Sequence, residues 1–294
     1  MPDQPNRWVL AARPATLWAS ISPVLIGSAL AANHGVFRWD AFVVIMAAAI
    51  AIQVAVNFAN DVADAAKGAD TAERLGPKRA VASGLISPAA MWRGIAATLA
   101  FAVLCGLYLA WLAGWVIIAI GVVSLLAAFG YTNGPYPYGY RGFGELFVFV
   151  FFGLVATVGT RYVFDRSAPV GAWVLAISMG MFASAILVAN NVRDAETDAH
   201  AGKRTLAVLL GSSVSRRLYA AMIAAAFAMV PIGVIGGWIP APTLLALGVA
   251  PLAIRPLGLM ASAPPGPQLV AVLIRTGQVQ AAFALTASVG VLIG

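Results

Sequence analysis

The sequence predicts an all-α membrane protein: a bundle of nine transmembrane helices in two parallel pseudo-repeats, with the N-terminus cytoplasmic and the C-terminus outside. Composition, the length of the uncharged runs and the placement of basic residues carry that prediction. Of 294 residues, 61% are hydrophobic and 10% charged, and the mean hydropathy is +0.89. So little polar surface cannot cover a water-soluble globule of this size. Uncharged runs occupy residues 14–37, 41–60, 94–140, 167–192, 218–254 and 276–294. A span takes about 20 apolar residues, so the third and fifth runs each hold two helices.

Taken in order, the expected spans are 15–34, 40–63, 89–110, 113–131, 143–164, 169–192, 217–236, 241–260 and 271–293. Ala113-Gly114 divides the third run, and the stretch from Gly236 and Gly237 to Pro240 and Pro242 divides the fifth, through the turn preferences of Gly and Pro. Trp18, Trp39, Trp92, Trp111, Trp115, Trp173 and Trp238 all fall near expected helix ends, where interfacial anchoring accounts for them. The apolar run after Arg7 and Arg13 is long for the core of a secretory signal, and removing it would spoil the charge bias. The chain reads as one domain over 1–294.

Basic residues orient the bundle. With a cytoplasmic N-terminus, only Arg38, Arg161 and Arg166 of the 18 Lys and Arg lie outside, and flipping the chain inverts the bias. The formal charge of +7 follows from these cytoplasmic loops, which read as topology and attraction to anionic lipid and not as nucleic-acid binding. The single cysteine, Cys105, excludes an internal disulfide and a thiolate metal site. Nucleophile-triad, P-loop, dinucleotide-fingerprint and zinc-protease patterns are absent.

Two acidic stretches carry the chemistry. Asn60-Asp61-Val62-Ala63-Asp64 is followed by Asp70, and Asn190-Asn191-Val192-Arg193-Asp194 by Asp198. Asn60 to Asp64, and Asn190 to Asp194 to Asp198, step by four, so on a continuing helix these oxygens share one face. Clustered carboxylates at a membrane boundary repel one another unless a cation sits among them. Hard oxygen donors favour Mg²⁺, which commonly also binds phosphates. Basic residues follow each set: Arg74, Lys78 and Arg79 after the first, Lys203 and Arg204 after the second. Metal with cations points to a diphosphate substrate. The two sets, each followed by a Gly and Lys-Arg (Gly76 to Arg79, Gly202 to Arg204), lie four spans apart, so the halves run parallel and both acidic loops meet at one face, above an apolar groove.

These motifs resemble the two aspartate-rich motifs of the UbiA superfamily of intramembrane aromatic prenyltransferases. The stretches from Lys67 to Asp70 and Gly76 to Gly84, from Gly134 to Glu145, and from Gly202 to Ala207 look closest to its menaquinone-pathway branch. The resemblance implies transfer of a polyprenyl group from a polyprenyl diphosphate to 1,4-dihydroxy-2-naphthoate in a bacterial cytoplasmic membrane, with the active site facing the cytoplasm. Asp64, Asp194, Asp198 and Lys203 would carry catalysis, with Mg²⁺ held by Asn60, Asp64, Asp70, Asn190, Asp194 and Asp198. Asp70 would stand in for the Asp that the superfamily pattern has where this chain has Gly68. Arg79, Lys78, Arg204, Asp61, Tyr138, Tyr140 and Glu145 would bind substrate, the tyrosines and Glu145 on the acceptor side. A relative using 4-hydroxybenzoate or haem as acceptor shares the same diphosphate apparatus. A cation-coupled transporter is the more distant alternative, disfavoured because both acidic sets lie on one side.

Overall fold

The computed structural model describes residues 6–66, 79–132 and 137–294, so the expected roles of Asp70, Arg74 and Lys78 fall outside the described residues. All of the regular structure among the described residues is helical. A short α1 (Arg7–Ala12) leads into α2 (Pro14–Asn33), α3 (Trp39–Ala66), α4 (Pro88–Ala113) and α5 (Trp115–Thr132). The next span is continuous but changes type, from α6 (Gly144–Val148) through a π-helical stretch at Phe149–Val155 to α7 (Ala156–Asp165). Then come α8 (Val170–Arg193), the short α9 (Ala195–His200), α10 (Leu206–Ile235), a 3₁₀ segment at Ala241–Val249 running into α11 (Ala250–Ser262), and α12 (Leu269–Leu292).

Among the described residues, eight of these stretches are long and apolar enough to cross a membrane, and Trp115–Tyr131 is a shorter apolar helix beside them. Their bounds fall within about three residues of expectation except in α10, which begins at Leu206 rather than 217. Arg216, expected just before the helix, therefore lies inside it. Arg216 donates to the carbonyls of Met260 and Ala263 and so ties α10 to the end of α11. Gly211, at φ 79°, breaks the regular geometry of α10 near its start, a backbone conformation glycine adopts without strain.

The core forms around α8, whose Leu175, Met179, Phe182 and Val188 are buried against α10 and α12. Phe182, Phe227 and Phe283 pack edge to face at the junction of those three helices, with centroids 5.1–5.5 Å apart. The π-helical stretch meets α8 through Gly153 and Gly180, where a side chain at Gly153 would come within 2.5 Å of the Gly180 Cα. Such close backbone approach is how small residues join helices without a hydrophobic driving force. By contrast α4 and α5 turn Leu104, Leu126 and Phe129 outward, as lipid-facing helices do. Trp39, Trp111 and Trp115 are also exposed and sit at helix ends.

Candidate active site

The site is built where α3 and α8 end. The polar residues of α3 recur at Gln53, Asn57, Asn60 and Asp64, spacings of four, three and four that put them on one helical face. Gln53 accepts from Ser20, and Asn57 donates to the Ala12 carbonyl and to Thr16, at 2.8 and 2.9 Å. Thus the stripe locks α3 to α2 before it reaches Asp64. Asp64 is buried and ion-paired with Arg79, itself buried, on the chain leading into α4.

Asp61, expected at the substrate, has its two oxygens accepting from the backbone N–H groups of Ala80 and Val81 at 3.0 and 2.9 Å. It pins the segment that carries Arg79. Both oxygens are already engaged in the backbone, and the side chain is 1% exposed.

From the other motif, α8 ends at Arg193, with Asp194 outside helical geometry and α9 following at once. The stack of Asn190, Asp194 and Asp198 therefore crosses a joint between two helices, and it is carried by the Asp198 N–H bonding back to the Asp194 carbonyl at 2.8 Å. Gly202, at φ 72°, then reverses the chain. The Lys203 N–H returns to the Asp198 carbonyl at 2.8 Å and the Gly202 N–H to that of Ala199 at 3.1 Å, a glycine-terminated helix end.

That reversal aims Lys203 across the site. Its ammonium lies 3.3 Å from Asp198 and 3.7 Å from Asp64, so one side chain bridges the two acidic motifs. It also sits 4.9 Å from the centroid of the Tyr140 ring, within cation–π range. Burial pushes the Asp198 carboxyl above its usual range, reinforced by the charges of Asp194 and Asp64 and opposed by Lys203. Burial also works against the charge of Lys203, but the Asp64 and Asp198 carboxylates outweigh it and hold the ammonium above its ordinary value. Arg204 is next in the chain but exposed, and its backbone N–H is tied to the Tyr140 carbonyl at 2.9 Å.

Asn190 and Asp194 are engaged by a residue that the sequence reading treated only as a topological charge. Arg193, buried, donates to Asn190 at 2.8 Å and to both Asp194 oxygens at 2.7 and 2.5 Å. Its place between two expected metal donors was the available signal. The expected donors do not form a ready cage: among the described residues, no three His, Cys, Asp or Glu side chains group as a metal site. Each carboxylate is instead paired with a cation of the chain, Asp64 with Arg79 and Lys203, Asp198 with Lys203, Asp194 with Arg193. Neutralisation of that kind is what closely set acids need when buried. The donor set itself, carboxylate and amide oxygens without thiolate or imidazole, is the chemistry Mg²⁺ accepts.

Beside this charged end opens an apolar cavity of about 500 Å³, lined at its polar end by Gln53, Asn57, Asn60, Tyr131 and Tyr138 and further in by α3, α4, α5 and α7. Tyr138 stacks on Phe147 with centroids 3.7 Å apart and meets Tyr131 edge-on at 5.5 Å. Its hydroxyl donates to the Ala127 carbonyl, and burial pushes that hydroxyl's pKa up to about 12. Glu145, buried at the start of α6, accepts from Asn191 at 2.8 Å through one oxygen, and its other oxygen has no hydrogen-bond partner among the described residues. The π-helical stretch contributes Phe151, Phe152 and Val155 to the cavity wall. Such an insertion rotates the following turns and recurs at functional sites.

The arrangement joins a charged end to an apolar cavity through an aromatic collar, and comparison with known proteins gives it a family. Residues 20–263 match the UbiA prenyltransferase family. This chain belongs to that family. It is 43% identical over 221 residues to the 1,4-dihydroxy-2-naphthoate octaprenyltransferase of Mycobacterium tuberculosis, covering 75% of both chains. Its fold is shared with a UbiA homolog from Aeropyrum pernix K1, at a TM-score of 0.71 with 18% identity over 96% of this chain and 98% of that one. It is shared too with a UbiA homolog from Archaeoglobus fulgidus bound to DMAPP and Mg²⁺, at 0.68 with 13% identity over 98% of this chain and 100% of the other.

Proposed function

We propose that this UbiA-family chain transfers a polyprenyl group from a polyprenyl diphosphate to 1,4-dihydroxy-2-naphthoate, releasing diphosphate and CO₂ and building the demethylmenaquinone skeleton. The observation that carries the reading is Lys203 bridging Asp64 and Asp198 at the polar end of a long apolar cavity. The named activity of the Mycobacterium tuberculosis relative supports the acceptor, and the Archaeoglobus fulgidus homolog supports an allylic diphosphate with Mg²⁺.

Asn60, Asp64, Asn190, Asp194 and Asp198 would hold Mg²⁺, which when bound supplies Lewis-acid stabilisation of the diphosphate leaving group. In that state Lys203 and Arg79 turn from their carboxylates to the phosphate oxygens, neutralising the charge that develops as the allylic C–O bond breaks and its electron pair leaves with diphosphate. Arg193 keeps Asn190 and Asp194 oriented, and Asp61 holds the Arg79 segment in place. The apolar wall keeps water from the allylic cation. Tyr131, Tyr138 and Phe147 border the acceptor ring, and Glu145, oriented by Asn191, faces its polar groups. The electron-rich ring carbon bearing the carboxylate then forms the C–C bond and CO₂ leaves. In the bilayer, α5 completes nine spans, with the charged end on the cytoplasmic side.

Incubating purified protein with Mg²⁺, a polyprenyl diphosphate and a panel of aromatic acids, followed by mass spectrometry, tests the reading. The expected product is prenylated naphthoate that has lost CO₂. Exclusive prenylation of 4-hydroxybenzoate would replace the acceptor, and cation flux in proteoliposomes without any prenylated product would refute prenyl transfer.

A further inference from the structure

Glycine is costly inside a helix, by about 1 kcal/mol relative to alanine, so helical glycines with no packing reason call for another explanation. Most in this bundle have a packing reason. An added Cβ would lie 2.6 Å from the Thr157 carbonyl at Gly27, 2.5 Å from the Pro242 carbonyl at Gly290 and 2.3 Å from the Trp238 carbonyl at Gly171. Among those that do not are Gly106 of α4, Gly121 of α5 and Gly159 of α7, around which an added Cβ would meet nothing within 4 Å. Gly248 and Gly258 also have open space, but they are exposed and lie outside the cavity. Gly106, Gly121 and Gly159 all line it.

The three also share one depth. Gly106 lies seven residues before the end of α4, Gly121 six after the start of α5 and Gly159 six before the end of α7, each about 9–11 Å from its helix end at 1.5 Å per residue. Those ends are level, because α4 and α5 meet at Gly114 and Arg166, just past α7, reaches the Leu112 carbonyl at 3.3 Å. From Tyr131, at the aromatic collar, to Gly121 is ten residues of helix, or about 15 Å. Three helices thus omit side chains in one layer of the cavity, well below the charged end.

We infer that Gly106, Gly121 and Gly159 form a clearance layer that lets the distal isoprene units of the donor pass, making them determinants of prenyl chain length. The inference rests on the prenyl-transfer reading. The occupant follows from continuity: the cavity begins at Asn60, one helical turn from Asp64, so a tail whose diphosphate is held at the charged end runs into this layer. A geranyl tail stops short of it and an octaprenyl tail must cross it.

The experiment is a competition between geranyl and octaprenyl diphosphate for transfer by wild type, Gly121→Phe and Gly159→Phe, read as the ratio of long to short product. The ratio is expected to fall at least tenfold in each variant. A ratio equal to wild type, whatever the total rate, would overturn the inference, whereas a wild type that prenylates nothing would overturn the function reading itself. A second measurement needs no activity: Gly121→Ala and Gly159→Ala should melt in detergent at or above the wild-type temperature. A clear drop would mean that these glycines serve packing, and the clearance layer would be wrong.

Discussion

Two buried ion-pair clusters sit at opposite ends of the bundle, and they differ in what they connect. At one end Arg161, 2% exposed in its side chain, forks onto Asp165 at 2.5 and 2.9 Å and contacts His34 at 3.1 Å. Asp165 also accepts from the Ser167 hydroxyl and backbone N–H. These partners are close in sequence apart from His34, and their capacity is largely used within the cluster. At the other end Lys203 spans two motifs more than a hundred residues apart, beside a cavity. Burial and pairing alone therefore do not mark a functional site. What separates the clusters is that carboxylates from two distant motifs meet at one cation, with space for a ligand alongside.

The largest effect that could break this contrast is in the acids. Asp64→Asn, Asp194→Asn and Asp198→Asn should each lower the prenyl-transfer rate by at least about two orders of magnitude, the scale of losing one preorganised electrostatic group, in protein that is still extracted folded. Lys203→Met should follow with a loss of about ten- to a hundredfold in rate, because Arg79 remains to meet the phosphates; a variant as fast as wild type would remove the bridge from the mechanism. Smallest on activity and largest on stability is Asp165→Ala. It strands a buried guanidinium, so thermal denaturation in detergent should report a loss of about 1–3 kcal/mol, while the rate per folded molecule holds. If Asp165→Ala slowed catalysis as Asp64→Asn does, the two ends would not differ as described.

Much of the bundle was legible in the chain because a bilayer imposes a length on each uncharged run. The meeting of the two motifs was legible too, since parallel halves bring their loops to one end, and Lys203 spans Asp64 and Asp198 as that requires. Charges inside helices were not. Arg161 counts by sequence only as a charge on the outer side, yet the Asp165 one turn later lets it stay buried in α7. Arg216 falls outside the expected span for the same reason, although it finds its partners on α11 and just beyond it, which no local pattern reveals. The pairing of Arg193 with its own motif, and the role of Asp61 in the backbone, depend on how each helix ends. The aromatic collar of Tyr131, Tyr138 and Phe147 requires α5 and α6 to come together in space.

The central claim is that the two acidic motifs form one Mg²⁺-dependent diphosphate site. Calorimetric titration of the purified protein with geranyl diphosphate tests it most directly, with Mg²⁺ and with chelator, in wild type, Asp64→Asn, Asp198→Asn and Asp165→Asn. The account predicts binding by wild type and Asp165→Asn only with Mg²⁺, and binding weakened at least tenfold by either Asp64→Asn or Asp198→Asn. Undiminished binding in chelator, or loss with a change in one motif but not the other, would contradict it.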